Sequence, residues 1–386
     1  MRRVVARSGG VVRRTLLKSV LYLASVGLAL HLILPQLPGI ERSFVLISDS
    51  SGLLIAAAFL AILASQMCYA ELLGRSTAAA AGIVPASKRR RMGLGRWFML
   101  RLTLAEHGAA RVLPGGGSSA AAVTYTGLRS RGLKPARIGL AVATVMLLVY
   151  GTLGAIFLGS LLYLTLDRAF GQVYSTAALV VFVLTLCLVL LGYFAYRRPL
   201  AAKRLMAGFF YALGRTFRRR SWSRKRTEVW AARIVVTLKL EVRALREQLL
   251  WHPLAAIRLG ALALGYWGFD ALCLLIIFLA FGVQVDPVHL LVAFGVATTF
   301  GSLPLTPGGL GVFEATMIGT LALLGVGYEA AIPVLGYRLF NFWLPIPLAL
   351  ILYPTLHLGA SKYARQEEEP EPKPPRKKRR QKSSET

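Results

Sequence analysis

The sequence predicts an all-α polytopic membrane protein, and three observations carry that prediction. The composition is 55% hydrophobic and 16% charged, with a mean hydropathy of +0.58; soluble domains average about 45–50% apolar and about 25% charged. Apolar runs recur from near Leu16 to near Leu358, most of them reaching the roughly 17–25 residues that a helix needs to cross a bilayer. The net charge is +29, from 46 Lys+Arg against 17 Asp+Glu, and the basic residues cluster between the apolar runs. In a soluble protein such a charge would point to nucleic acid. Here it marks a cytoplasmic side and favours anionic lipid headgroups, so no nucleic-acid partner is expected. The pattern predicts about six full crossings plus two re-entrant helical hairpins, counted as about eight membrane helices, arranged as an inverted repeat.

Residues 1–15 form a basic N-terminus, with Arg2, Arg3, Arg7, Arg13 and Arg14 and no acid. A first membrane half covers 16–196. Its first run, Leu16–Leu34, is long and lacks a convincing small-residue cleavage pattern, so it reads as a retained span entering from the cytoplasm. Gly52–Leu73 returns inward to a loop holding Arg75, Lys88, Arg89, Arg90, Arg91 and Arg96. Trp97–Val112 is a poorer segment, containing Arg101, Glu106, His107 and Arg111. The loop at 114–119, Pro114-Gly115-Gly116-Gly117-Ser118-Ser119, separates it from the small-residue stretch Ala120–Leu128. Both flanks are basic, which predicts a hairpin that enters and leaves on the inner side. Spans at about Ile138–Leu164 and Tyr174–Tyr196 complete this half.

A connector, 197–253, follows. Between residues 197 and 250 it holds fifteen Lys/Arg opposed by Glu228, Glu241 and Glu247. From Thr227 to Leu250 apolar residues recur at helical spacing. An amphipathic helix on the inner leaflet fits, as does a solvated linker helix or a docking surface for a cytoplasmic protein.

The second half, 254–358, opens with Pro253–Ala280, which carries Asp270. Leu290–Phe300 and Gly311–Leu324 then flank the stretch Ser302-Leu303-Pro304-Leu305-Thr306-Pro307-Gly308-Gly309-Leu310-Gly311-Val312-Phe313-Glu314. Irregular backbone at membrane depth is tolerated only where protein or water covers it. Neither end of this pair is basic, so 304–311 reads as a re-entrant loop entered from outside. Ala330–Leu358 crosses back; it contains Arg338 and Asn341 and is interrupted by Pro345 and Pro347. The tail, 359–386, is rich in Glu, Pro, Lys and Arg and reads as disordered. Both termini are expected in the cytoplasm of a bacterial-type inner membrane.

The two loops echo each other. Pro114-Gly115-Gly116 and Pro307-Gly308-Gly309 lie 193 positions apart, and each is followed, 18 residues after its proline, by a glycine: Gly132 and Gly325. Two related units of opposite orientation would bring their special loops to the midplane.

Glu314 opens the half-helix after the second loop, where free amides stabilise a carboxylate or bind an anion in its place. Arg338 and Asn341, three apart, share a face of the next span. Arginine grips phosphate or carboxylate with two parallel hydrogen bonds, and polar groups at this depth face the bundle interior. Two readings stand side by side: a structural Glu314–Arg338 bridge, or a gated headgroup site formed by Arg338, Asn341, Glu314 and the Gly308, Gly309 and Gly311 amides. Glu106, His107, Arg111 and Asp270 are secondary candidates. Glu106 and Arg111, five apart, make an imperfect helix pair, and Arg101 and Arg111 could reach back to the interface. Asp270 reads either as a proton relay or as a hydrogen-bonded helix contact. Pro114, Gly115, Gly116, Pro304 and Pro307 are structural loop residues. The cysteines Cys68, Cys187 and Cys273 lie in apolar runs without metal-ligand spacing, so no metal and no cofactor is expected. No nucleophile elbow, phosphate-binding loop or His-Glu-x-x-His motif occurs.

Ser302–Glu314 and the following Gly325–Pro345, together with the looser first-half match through Leu113–Gly117, Leu128–Gly132 and Ala136, resemble the lysylphosphatidylglycerol synthase transmembrane-region family. These are also known as flippase-like (YbhN-type, UPF0104-like) integral membrane proteins. The resemblance covers roughly residues 15–358 and carries over to Pro307, Gly308, Gly309, Gly311, Glu314 and Arg338. It implies a lipid translocase for a phospholipid or a polyprenyl-phosphate-linked lipid, with membrane lipids, anionic or isoprenoid-phosphate, as partners. Within the family, the membrane region of the multiple peptide resistance factor moves aminoacylated phosphatidylglycerol between leaflets. Many members carry a proline-glycine-arginine-x-glycine-glutamate first loop. Here that loop lacks the arginine and the glutamate, so a mechanism needing both is without its residues. The 28 residues after Leu358 are too few for the aminoacyl-transferase domain, which favours a transporter over an enzyme. A membrane-embedded lipid-modifying transferase or its accessory subunit, and a scaffold docking a cytoplasmic partner, are the alternatives.

Overall fold

The computed structural model describes residues 51–82, 93–113, 116–166, 253–303 and 306–357, with isolated helical positions between 176 and 229. The predicted span at 16–34, the basic connector, the tail and the loop residues Pro114, Gly115 and Pro304 lie outside the described residues. So does the span at 174–196, apart from those isolated positions. Among the described residues every regular element is a helix.

The elements fall into two runs of the same form: long, short, short, long. The first run is α1 (Gly52–Ala80), α2 (Arg96–Val112), α3 (Gly117–Arg129) and α4 (Pro135–Leu166). The second is α5 (Pro253–Ala280), α6 (Pro287–Ser302), α7 (Val312–Leu323) and a last span, Ala331–Leu356, made of α8 (Ala331–Arg338), a π-helical segment (Leu339–Trp343) and α9 (Pro345–Leu352). The four long elements are long and apolar enough to cross a bilayer. At 12 residues and 1.5 Å per residue, α7 reaches about 18 Å, well short of a hydrocarbon core of about 30 Å.

Packing follows the same scheme. α1 and α5, the first helix of each run, share the most extensive interface. The arms of each short pair pack on each other, α2 with α3 and α6 with α7. The first arm of each pair also packs on the last span of the other run, α2 on α9 and α6 on α4. Small residues permit these crossings, as in membrane helix packing generally. A Cβ on Gly108 of α2 would overlap Ala349 of α9, and one on Gly295 of α6 would come within 2.5 Å of the Ser160 hydroxyl of α4. Gly132 and Gly325, at φ 83° and 84°, end α3 and α7 in the left-handed region that residues other than glycine rarely adopt.

The short pairs open toward opposite ends of the bundle. At one end the Arg137 guanidinium donates to the Ala81 carbonyl (3.0 Å), Arg101 to the Thr355 hydroxyl (3.4 Å) and Arg131 to the Leu356 carbonyl (3.5 Å). That end therefore gathers the C-terminus of α1, the open ends of α2 and α3, the start of α4 and the close of the last span. At the other end His289, beginning α6, meets the Tyr163 hydroxyl near the close of α4 at 3.1 Å. Gly336 of α8 lies there against Phe281, just past α5. The two loop tips meet between these ends, where Gly308 approaches the Arg111 backbone and the Phe342 ring.

The prolines of the last span act differently from expectation. Rather than ending at Pro345, the helix widens just before it. Pro345 has no N–H to give to the Asn341 carbonyl, and the Leu344 amide bonds five residues back to Leu339 at 2.9 Å. The result is the π-helical segment that contains Asn341 and Phe342.

Candidate functional site

The second tip is held by one carboxylate. Gly311 precedes α7 at φ 79°, and its amide donates to Glu314 Oε2 at 2.7 Å. This is the reciprocal half of a helix-capping box. The other oxygen, Oε1, accepts from Arg338 Nε at 2.5 Å. Both side chains are buried, Glu314 at 8% and Arg338 at 5% exposure. The Arg338 guanidinium also lies over the rings of Phe313 (4.8 Å) and Phe342 (4.6 Å), so two cation–π contacts replace water on its faces. Its Nη2 is buried and has no hydrogen-bond partner among the described residues.

Gly309 shows why this tip needs glycine. It adopts φ 72°, and a Cβ there would overlap the Gly301 carbonyl. The Gly309 amide donates to the Thr306 carbonyl at 3.2 Å. With Gly311 bonded to Glu314, two of the amides expected to meet a ligand are satisfied within the loop.

A second chain of contacts joins the first tip to α5 through the π-helical segment. Arg111 donates to the His107 carbonyl and to Asn341 Oδ1, both at 3.1 Å. The Asn341 amide donates to Asp270 Oδ1 (2.8 Å) and Oδ2 (3.0 Å), and the Tyr337 hydroxyl donates to Oδ1 at 2.9 Å. Asp270 is 2% exposed, so its carboxyl group sits deep in the bundle. Arg111 therefore turns inward, in contrast to the reach toward the interface expected for it. Arg101 instead stays at the bundle end, on Thr355.

Glu106 is not paired with Arg111. Tyr69 of α1 donates to its Oε1 at 2.6 Å and Thr124 of α3 to its Oε2 at 2.5 Å. The neighbouring His107 Nδ1 meets Gln66 Oε1 at 2.6 Å, and its ring lies 4.7 Å from that of Tyr69.

A cavity of about 410 Å³ lies between the two tips, within the size range of small-molecule sites. Arg338, Asn341, Gly308, Gly309, Glu106, His107, Arg111 and Asp270 are on its wall. Glu314 and Gly311 stand behind Arg338, and Gly116 contributes from the first tip. Thr298 is on the wall too, with a buried hydroxyl that has no partner among the described residues. The secondary candidates thus share one space with the primary ones. Sequence reasoning passed over Tyr69, Gln66, Thr124, Tyr266, Phe313, Tyr337 and Phe342. Gln66 and Tyr69 carried a usable signal, being polar groups three apart inside an apolar span; Thr124 and the aromatic residues did not.

The fold and this polar interior define a multi-pass α-helical membrane protein with paired short helices around a central cavity. Residues 24–349 match the family described as the lysylphosphatidylglycerol synthase TM region, and the chain belongs to that family. Two relatives from Methanothermobacter thermautotrophicus (strain Delta H), each named UPF0104 membrane protein, are 34% identical to it. The matches extend over 91 and 92 residues, in each case 23% of this chain and 27% and 26% of the relative. The chain thus spans about a quarter of the length of the curated relatives it matches.

Proposed function

We propose that the protein moves a lipid between leaflets, passing its headgroup through the cavity between the two tips while the acyl or isoprenoid tails stay in the bilayer. The observation that carries this reading is Arg338, a residue of the cavity wall whose Nη2 is buried and has no partner among the described residues, as is the hydroxyl of Thr298 on the same wall. A buried donor without an acceptor costs about 1–3 kcal/mol, more when charged. A phosphate oxygen that takes the place of Glu314 on the guanidinium would supply the acceptor that Nη2 lacks. The substrate is therefore an anionic phospholipid or a polyprenyl-phosphate-linked lipid. Glu314 holds Arg338 between transport events, and the arriving phosphate competes with it for the guanidinium.

In this reading α2–α3 and α6–α7 are re-entrant hairpins, and the two runs of helices are an inverted repeat. The shared order of elements and the exchanged packing of α2 on α9 and α6 on α4 support it. Arg75, Arg96, Arg101, Arg129, Arg131, Lys134 and Arg137 lie toward the end where the first pair opens. By the positive-inside rule that end faces the cytoplasm of a bacterial-type inner membrane.

The test is leaflet exchange in proteoliposomes doped with headgroup-labelled phosphatidylglycerol, phosphatidylethanolamine or polyprenyl phosphate. The wild type is expected to speed exchange of at least one anionic lipid, and Arg338→Ala to reduce that rate at least tenfold. Exchange at the empty-liposome rate for the whole panel overturns the reading.

A further inference from the structure

The anion reading leaves one buried carboxyl on the cavity wall without a task. Of the three acids around the cavity, Glu314 is paired with Arg338, and Asp270 is linked to Arg111 through Asn341. Among the described residues Glu106, 6% exposed, receives only two neutral hydroxyls, those of Tyr69 and Thr124. The titratable groups around it are Tyr69 from α1, Tyr150 from α4 and Tyr266 from α5, with His107 and Arg111 on α2 itself. The His107 Nδ1 is engaged by Gln66 and the Arg111 guanidinium by Asn341 and the His107 carbonyl. α3 contributes Thr124, with its one charged residue, Arg129, at its far end; α9 and Pro307–Gly309 carry no charged side chain. Asp270 and Arg338 share the cavity without contacting Glu106.

A carboxylate so placed is costly in a low-dielectric wall unless it holds a proton or gains a cation. The hydrogen-bond partners suit a group that changes state. A threonine hydroxyl both donates and accepts, so Thr124 can accept from a protonated Oε2 as readily as it donates to an ionised one, while Tyr69 donates to Oε1 in both cases. Neither state strands a partner, and no backbone has to move.

We propose that Glu106, with Tyr69 and Thr124, is a proton-binding site of the cavity, and that its protonation is linked to the arrival of an anionic headgroup at Arg338. The chemistry is one proton transfer: an O–H bond forms at Glu106 Oε2 as one breaks on a hydronium of the cavity water. The link is electrostatic and rests on the lipid reading above. A phosphate entering the same cavity makes a second negative charge there costlier, so the headgroup and the proton favour each other's binding, each by the same factor. A proton gradient then supplies a driving force for a headgroup that enters with its charge neutralised.

The proton site is read without any lipid, by infrared difference spectra of the purified full-length protein across a pH titration. The expected result is a titrating carboxylic-acid carbonyl band, shifted in D₂O, absent in Glu106→Gln and retained in Asp270→Asn. Tyr69→Phe and Thr124→Val keep the carboxyl and are expected to shift the band without abolishing it, which separates the proton site from a misfolded variant. Identical titrating bands in wild type and Glu106→Gln overturn the site. The link is read by adding dihexanoyl phosphatidylglycerol, a soluble anionic phospholipid, in weakly buffered detergent with a pH-indicating dye. Binding with uptake of up to one proton per protein is expected, the uptake being lost in Glu106→Gln. Binding without uptake overturns the link while sparing the lipid reading; no binding at all sinks the link together with that reading for this headgroup, and the band still decides the proton site.

Discussion

Glu314 divides its carboxylate between two partners, and that division sets what each neighbour is worth. Oε2 closes the cap on α7 through the Gly311 amide, while Oε1 pairs with Arg338. Removing one member of a buried ion pair strands the other and costs about 3–5 kcal/mol, whereas replacing both with well-packed apolar groups is often neutral. Glu314→Gln keeps an acceptor for Gly311 but leaves Arg338 unpaired, and Arg338→Met strands Glu314. Each single variant is therefore expected to lower the thermal midpoint in detergent, and the double variant to recover most of the loss. The same double variant is expected to remain inactive in lipid exchange, because the guanidinium proposed to bind the anion is gone. A double variant that unfolds at the sum of the two losses would mean that the pair does not hold the tip. The sequence showed these two residues clearly, since a carboxylate and an arginine are rare in apolar runs. It could not show that the aromatic faces of Phe313 and Phe342 cover the arginine, because a phenylalanine in an apolar span looks like any other core residue.

At the scale of the element, the last span depends on the π-helical segment. The extra residue in that turn brings Asn341 to Arg111 and Asp270 together, and puts Phe342 against both Arg338 and the Gly308 tip. Single π-turns inside α-helices recur at functional sites. Here the cause lies in the sequence, since Pro345 removes the donor that would close an ordinary turn on Asn341. Pro345→Ala restores that donor. The expected outcome is a protein at least as stable as the wild type in thermal unfolding, but with lipid exchange reduced several-fold as Asn341 rotates off Asp270. Unchanged exchange would show that the site tolerates an ordinary helix. Most other helix limits were legible from hydrophobic length, but α1 runs to Ala80, seven residues past the expected Leu73, and takes in Arg75, which was expected in the loop. The arms Trp97–Val112 and Leu290–Phe300 differ from α2 and α6 by only a few residues at their ends. The prolines were visible too, but whether they break or widen a helix depends on the packing around it. Tertiary contact likewise placed Thr124 on Glu106: nothing in the small-residue stretch Ala120–Leu128 distinguishes it from Thr126, which bonds its own helix backbone.

At the scale of the whole molecule, the charge pattern and the packing bear on the same question from independent directions. The end where α2 and α3 open carries a band of arginines, among them Arg129, Arg131 and Arg137. The end where α6 and α7 open carries Asp286 and Glu329, with no Lys or Arg among the described residues there. If the two pairs are re-entrant hairpins of an inverted repeat, Lys134 and Glu329, which follow α3 and α7, face opposite compartments. If each pair instead crosses the bilayer completely, its loop tip emerges at the far surface. Single cysteines at 134, 329 and 302, in a background with Cys68, Cys187 and Cys273 replaced by serine or alanine, separate these arrangements. In intact cells an impermeant maleimide is expected to label Glu329→Cys at once and Lys134→Cys only after the membrane is opened. Ser302→Cys, on the cavity wall at the second tip, is expected to label slowly, and more slowly when an anionic substrate occupies the cavity. Rapid labelling of Lys134→Cys from outside inverts the orientation. Labelling of Ser302→Cys from the cytoplasmic side, as fast as that of Lys134→Cys, makes α6 a full crossing, and with it the cavity between the tips would cease to be the path of a headgroup.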